Sequence, residues 1–141
     1  MKLNDYFEIQ EFVPQIIYDR FRNNSIWFVD PVIIELATAI REHFGKPMTI
    51  NNWHRGGERI YSGFRPGYCQ VGAPLSQHRF GRAIDFIIPG LEPEEIRREI
   101  MDKFHLFAPY GLTTLELNTP TWTHVDVRPT GTKLLYLIRP E

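Results

Sequence analysis

One cysteine, Cys69, stands among 141 residues, which excludes an intrachain disulfide framework and a metal site built on thiolates. No apolar run approaches the ~20 residues that a helix needs to cross a bilayer. The first residues, Met1 to Phe7, lack the basic start and apolar stretch of a secretory signal. An excess of charge of either sign is missing too: 16 Lys and Arg face 17 Asp and Glu, for a formal net charge of -1. So balanced a chain is expected to bind neither nucleic acid nor an anionic membrane, since both call for a basic face. Repeats, low-complexity tracts and linkers are absent as well. Residues 1–141 therefore read as a single domain with one core. The product is expected to be made in the cytoplasm, and a target outside the membrane would require delivery by another protein.

What is present has clear periodicity. Asp30 and Pro31 form a helix start, with Asp at the N-cap and Pro at the first helical position. Ile33, Leu36, Ala37, Ile40 and Phe44 follow at helical spacing until Gly45 ends the run. An earlier helix is expected over 14–22, with Ile17 and Phe21 inward. Another is expected over 93–101, where acids precede bases as the helix dipole favours. Strands are expected over 48–53, 81–88, 112–117, 122–128 and 133–138, and the Gly- and Pro-containing stretch 61–75 reads as loop.

Successive side chains of a strand point to opposite faces. Ile84, Phe86 and Ile88 thus share one face and leave Asp85 on the other. Leu115 and Leu117 oppose Glu116, and Val125 and Val127 oppose His124 and Asp126. If the apolar sides meet on a common core, the opposite face gathers Asp85, Glu116, His124 and Asp126 along one wall of a cleft. His78 lies a short turn before the Asp85 strand, so His78, Asp85 and His124 can meet one metal ion. Three protein ligands with a fourth position open are the pattern of catalytic zinc. Each ligating imidazole needs an acceptor on its other nitrogen. Asp126 suits that task for His124, direct ligation being the alternative. His43, His54 and His105 read as surface or hydrogen-bonded histidines.

The pattern Ser76-x-His78-x-x-Gly81-x-Ala83-x-Asp85, followed by Trp122-x-His124-x-Asp126-x-Arg128, resembles the zinc D-alanyl-D-alanine carboxypeptidases. Their relatives include phage L-alanyl-D-glutamate endopeptidases and the hedgehog signalling domain, which shares the metal arrangement. Tyr61-Ser62-Gly63-Phe64-Arg65 is similar to the family's Ser-Gly-Tyr-Arg segment, and Val71-Gly72-Ala73 also fits. The likeness runs from about residue 50 to residue 128.

The resemblance implies an α+β domain with a small, mainly antiparallel sheet, helices on one face and a zinc cleft on the other. It implies zinc held by His78, Asp85 and His124. Arg65 would bind a substrate carbonyl or carboxylate, or else tie its loop to a backbone carbonyl. Ser76 would correspond to the family's serine or serve only as a turn cap, and Trp122 would line the substrate side. Many relatives carry a glutamate three residues before the last histidine, where this chain has Thr121. Glu116 is the replacement general base on the favourable strand face, its rival reading being a solvent-facing side chain with no role. The implied activity is a zinc metallopeptidase acting on peptidoglycan stem peptides, of a phage type with virion or lysis partners. The alternative is a non-catalytic zinc-binding or virion structural module, in which a fourth protein ligand would close the site.

Overall fold

In the computed structural model, which describes residues 1–139, the longest helix lies where its caps set it. Asp30 Oδ1 accepts the Val32 N–H at 2.9 Å, Pro31 occupies the first helical position, and Gly45 ends α2 (Pro31–Phe44) at a left-handed φ of 64°. The stripe of Ile33, Leu36, Ala37 and Ile40 is buried. Fully burying a side chain of Ile or Leu size contributes about 1.5–3 kcal/mol, so this stripe anchors the helix more firmly than its caps do. Helix α1 (Gln15–Phe21) buries Ile17, and Phe21 stacks edge-on against Phe28 with centroids 4.9 Å apart. Helix α3 (Pro93–Asp102) begins with a capping box in which the Glu95 carboxylate accepts the Glu92 N–H at 3.0 Å. The short α4 (Phe104–Phe107) follows it.

Four strands form one mixed sheet in the order β1-β3-β2-β4: β1 (Ala83–Phe86), β2 (Thr114–Glu116), β3 (Thr123–Asp126) and β4 (Tyr136–Ile138). The pairs β1/β3 and β2/β3 are antiparallel, whereas β2/β4 is parallel. Two of the three pairings are thus antiparallel, in keeping with the expected mainly antiparallel sheet, and β4 makes it mixed. No tight hairpin joins β3 to β4. The chain instead crosses back after Asp126, so that β4 enters beside β2 in the same direction. Ile84, Phe86, Leu115 and Val125 pack with Ile33, Leu36 and Ile40 of α2 and Ile96 and Ile100 of α3 in a single core. The alternate residues of the same strands face the other way, toward a cleft.

Residues 48–53 do not form the expected strand. They make an isolated bridge, Thr49 with Ile87, because the asparagines that follow bind loops instead of a ladder. Asn51 Oδ1 accepts the Ser62 N–H at 2.9 Å, its amide donates to the Val13 carbonyl, and Asn52 Oδ1 accepts the Arg59 N–H. Asn side chains compete with strand pairing in this way, and here they fasten residues 59–62 beside β1. Among the described residues no helix is long and apolar enough to cross a membrane.

Candidate metal centre

Asp85 of β1 is the direct partner of His124 on β3. The Asp85 N–H is donated away from β3, to the Ser62 carbonyl at 2.8 Å. The two residues therefore form a non-hydrogen-bonded antiparallel pair, the kind whose side chains approach most closely. The β2/β3 register, Thr114 opposite Asp126 and Leu115 opposite Val125, carries Glu116 to the level of His124 on its other side. Asp85, His124 and Glu116 thus form a row across three strands. Asp85 Oδ1 is 2.8 Å and Glu116 Oε2 3.6 Å from His124 Nδ1.

His78 reaches this row from a 3-10 turn, Gln77–Phe80. Ser76 caps the turn, its hydroxyl accepting the His78 N–H at 3.3 Å. Gly81 closes it at φ 68°, and a Cβ there would meet the Phe28 carbonyl oxygen at 2.1 Å. The segment 61–65 grips His78 from two sides. The Arg65 N–H donates to the His78 carbonyl at 3.0 Å, and His78 Nδ1 is 2.9 Å from the Gly63 carbonyl. A carbonyl only accepts, so Nδ1 carries a proton, and Nε2 is the ring nitrogen that faces Asp85 Oδ1, 3.2 Å away.

One ligand atom from each of His78, Asp85 and His124 lies within 4.8 Å of the others, and no further residue joins this trio among the described residues. The 3.2 and 2.8 Å separations from Asp85 Oδ1 are close to the edge of about 3.3 Å that a tetrahedron of ~2.0 Å metal–ligand bonds requires. Two imidazoles and a carboxylate, each ring fixed by an acceptor on its far nitrogen, suit a divalent transition metal. The trio could hold one metal ion.

The surroundings fix these ligands. His124 Nε2 donates to Asp126 Oδ2 at 2.9 Å. Arg128 grips the same fully buried carboxylate with both arms of its fork, Nε to Oδ1 at 2.8 Å and Nη2 to Oδ2 at 2.6 Å. Asp126 therefore orients His124 from behind. Arg65 Nη2 donates to Asp85 Oδ2 at 3.2 Å and its Nε to the Tyr61 carbonyl at 2.8 Å. Arg65 thus ties its loop to a backbone carbonyl and steadies a ligand while lining the cleft. Ser76 is a cap that also lines the cleft, as does Trp122.

Electrostatics follow from burial and pairing. Burial pushes the His78 imidazole below its ordinary value, more than Asp85 restores. Burial acts on His124 in the same sense, but its hydrogen bonds to Asp126 and Asp85 win and raise it to about 9. Asp85 is held below the usual carboxylate range: burial opposes this, and the charge of His78 and the hydrogen bonds from both histidines outweigh it. Asp126 falls to about 2, its bonds from Arg128 and His124 overcoming burial. Glu116 is pushed up by burial, with Asp85 and Asp126 adding to the rise and His124 opposing it.

The row and His78 lie in a cleft of about 1020 Å³ whose lining includes residues 71–73 and 75–77, Trp122, Arg128 and 136–139. His43 and His54 stand elsewhere, beside Glu99 and Glu8. Arg128 stands within a recognisable motif, but its task emerges only from the fold. Nothing in the sequence hints at Arg97, which is buried and binds the Thr119 hydroxyl at 2.7 Å and the Thr119 carbonyl at 3.2 Å, bracing the turn into β3. Scans against protein-family models, curated proteins and solved structures found no match to this chain.

Proposed function

We propose that the chain is a zinc-dependent peptidase that hydrolyses a peptide bond in the stem peptides of bacterial cell wall. The observation that carries this reading is the row Asp85, His124 and Glu116 in one cleft. It sets a half-buried carboxylate beside a metal trio that no fourth residue closes among the described residues. The resemblance of the segments around Arg65, His78 and His124 to the zinc D-alanyl-D-alanine carboxypeptidases supplies the substrate class.

His78 Nε2, Asp85 and His124 Nδ1 would hold the zinc. Bound there, the ion supplies Lewis acidity, lowering the pKa of water from 15.7 to about 7 and polarising the scissile carbonyl. Glu116 takes a proton from the attacking water and returns it to the leaving amine, so the amide C–N bond breaks as the new C–O bond forms. The raised pKa of Glu116 favours both halves of that exchange, since a base that must become an acid works best near the operating pH. Asp126 and Arg128 keep His124 in one tautomer. Arg65 holds Asp85 and adds positive charge beside the carbonyl oxygen as it becomes negative. A phage origin, with release by lysis partners or carriage in a virion, fits this reading.

The test is digestion of purified peptidoglycan by zinc-loaded protein beside the Glu116→Ala and His124→Ala variants, with fragments weighed by mass spectrometry. Cleavage by the parent that is lost in both variants supports the peptidase and its base, and the fragment masses name the bond. A protein that binds zinc stoichiometrically yet leaves several wall types intact would be a non-catalytic zinc module.

A further inference from the structure

Four backbone carbonyls of a single loop converge on one side chain outside the metal trio. Arg79 donates Nη1 to Gly67 at 2.9 Å and to Pro66 at 3.2 Å, Nε to Ala73 at 3.3 Å, and Nη2 to Cys69. The loop 66–73 contains Pro66, Gly67 and Gly72 and has no strand or helix of its own. Its carbonyls therefore lack the ladder partners that regular structure would supply. Of its backbone amides, that of Cys69 turns back to Pro66. An irregular loop of this composition holds a single shape only if something offsets its entropy. A guanidinium, planar and with five donors in fixed directions, suits four carbonyls arranged around it, and an ammonium does not.

The placement of the two ends of this link gives it consequence. Arg79 follows the ligand His78 on the same short turn, so its base is fixed by the Ser76 cap, by Gly81 and by the Arg65 bond to the His78 carbonyl. At the other end, Val71, Gly72 and Ala73 line the cleft over the metal trio. Gly72, at φ 79°, lies so close to Arg65 that a Cβ would meet its Nη1 at 2.4 Å. Val71 is 47% exposed, an apolar side chain held at the cleft with little packing of its own.

We propose that Arg79 is a positioning residue: it fixes the loop 66–73 to the ligand-bearing turn and so sets the apolar wall, Val71 and Ala73, against which a substrate side chain next to the scissile bond packs. The substrate role rests on the peptidase reading above. The fixing of the loop does not. Arg79 touches neither the trio nor the reacting atoms, so its loss acts on substrate affinity and not on the metal.

The experiment compares the parent with Arg79→Lys and Arg79→Ala, each checked for folding by circular dichroism and for zinc content. Limited chymotrypsin digestion reads the loop directly through Tyr68, which is 64% exposed. Both variants are expected to keep one zinc per chain and to be cut at Tyr68 about tenfold faster than the parent, as loop opening sets the cleavage rate. KM for a stem peptide is expected to rise about tenfold with kcat nearly unchanged, the pattern of lost uniform binding. Parental digestion rates in Arg79→Lys would overturn the proposal, because lysine cannot reproduce the fork. So would a fall in kcat or zinc content at parental KM, which would place the effect on His78. If the parent turns over no stem peptide, the peptidase reading fails while the digestion rates still decide whether Arg79 fixes the loop.

Discussion

Asp85 and His124 face each other across β1 and β3 as a non-hydrogen-bonded pair, with 2.8 Å between Asp85 Oδ1 and His124 Nδ1. Two members of the trio are thereby set by strand register and not by loop conformation. Shifting either strand by one residue would turn its ligand into the core and an isoleucine or valine into the cleft. The bonds that prevent this lie outside the pair: Asp85 N–H to Ser62 on one flank and Val127 N–H to the Arg82 carbonyl beyond it.

His124→Ala and Asp85→Asn are expected to abolish stoichiometric zinc binding, because each removes one of three ligands. Asp126→Asn keeps the ligands and loses only the charged acceptor behind His124. Its zinc affinity is expected to fall about 10–100-fold, the usual cost of losing such a partner. Competition with a chromophoric chelator measures all three.

Glu116→Gln preserves shape and removes the proton acceptor. Hydrolysis of a stem peptide is expected to drop about 10²–10⁴-fold with zinc content unchanged. A drop in zinc content instead would make Glu116 a ligand and not a base.

Metal binding should release a proton. With its value raised to about 9, His124 of the metal-free protein is protonated at pH 7, and a metal ion must displace the proton on Nδ1. Calorimetry in two buffers of different ionisation enthalpy is expected to show about one proton released per ion at pH 7, vanishing above pH 9.

The same groups shape stability of the metal-free protein. His124, raised from 6.5 to about 9, contributes fully below 6.5, and its contribution is lost as pH climbs through 9. His78, lowered by burial, costs stability as pH falls below 6.5, where the unfolded chain takes up a proton that the native site refuses. Asp126, lowered from 3.8 to about 2, adds stability above 3.8 that disappears as pH falls through 2. The melting temperature is therefore expected to peak near pH 6.5 and to decline on both sides. Zinc should flatten the alkaline limb.

Gly63 carries the acceptor for His78, and a Cβ there would come within 2.4 Å of the Phe12 carbonyl oxygen. Gly63→Ala must push the segment 61–65 away from Phe12, at an expected cost of about 1–3 kcal/mol in a urea melt. Zinc affinity should fall with it, because the displaced carbonyl no longer orients the imidazole.

Strand alternation makes the cleft face legible in the sequence alone: Asp85, Glu116 and His124 line the cleft, and Asp126, on the same face, stands buried behind His124. Helix α2 is equally plain, since Asp30, Pro31 and Gly45 mark its ends. The stretch 48–53 misleads because its β-branched residues suggest a strand, while Asn51 and Asn52 bind the loop 59–62 and Asn51 also the distant Val13 carbonyl. The parallel entry of β4 is hidden for a similar reason, as strand direction depends on where a loop returns. Arg79 and Arg97 act on carbonyls that come near only after folding. No local pattern announces such partners.

The ladder that holds Asp85, His124 and Glu116 is separate from the segment 71–76 that lines the same cleft. Substitutions at Val71, Ala73 or Leu75 can change what fits above the trio without disturbing the register that aligns it. Under the proposed peptidase reading, a library confined to those three positions is expected to yield altered substrate preference while melting temperature and zinc content stay near parental, the behaviour wanted of a starting scaffold for directed evolution.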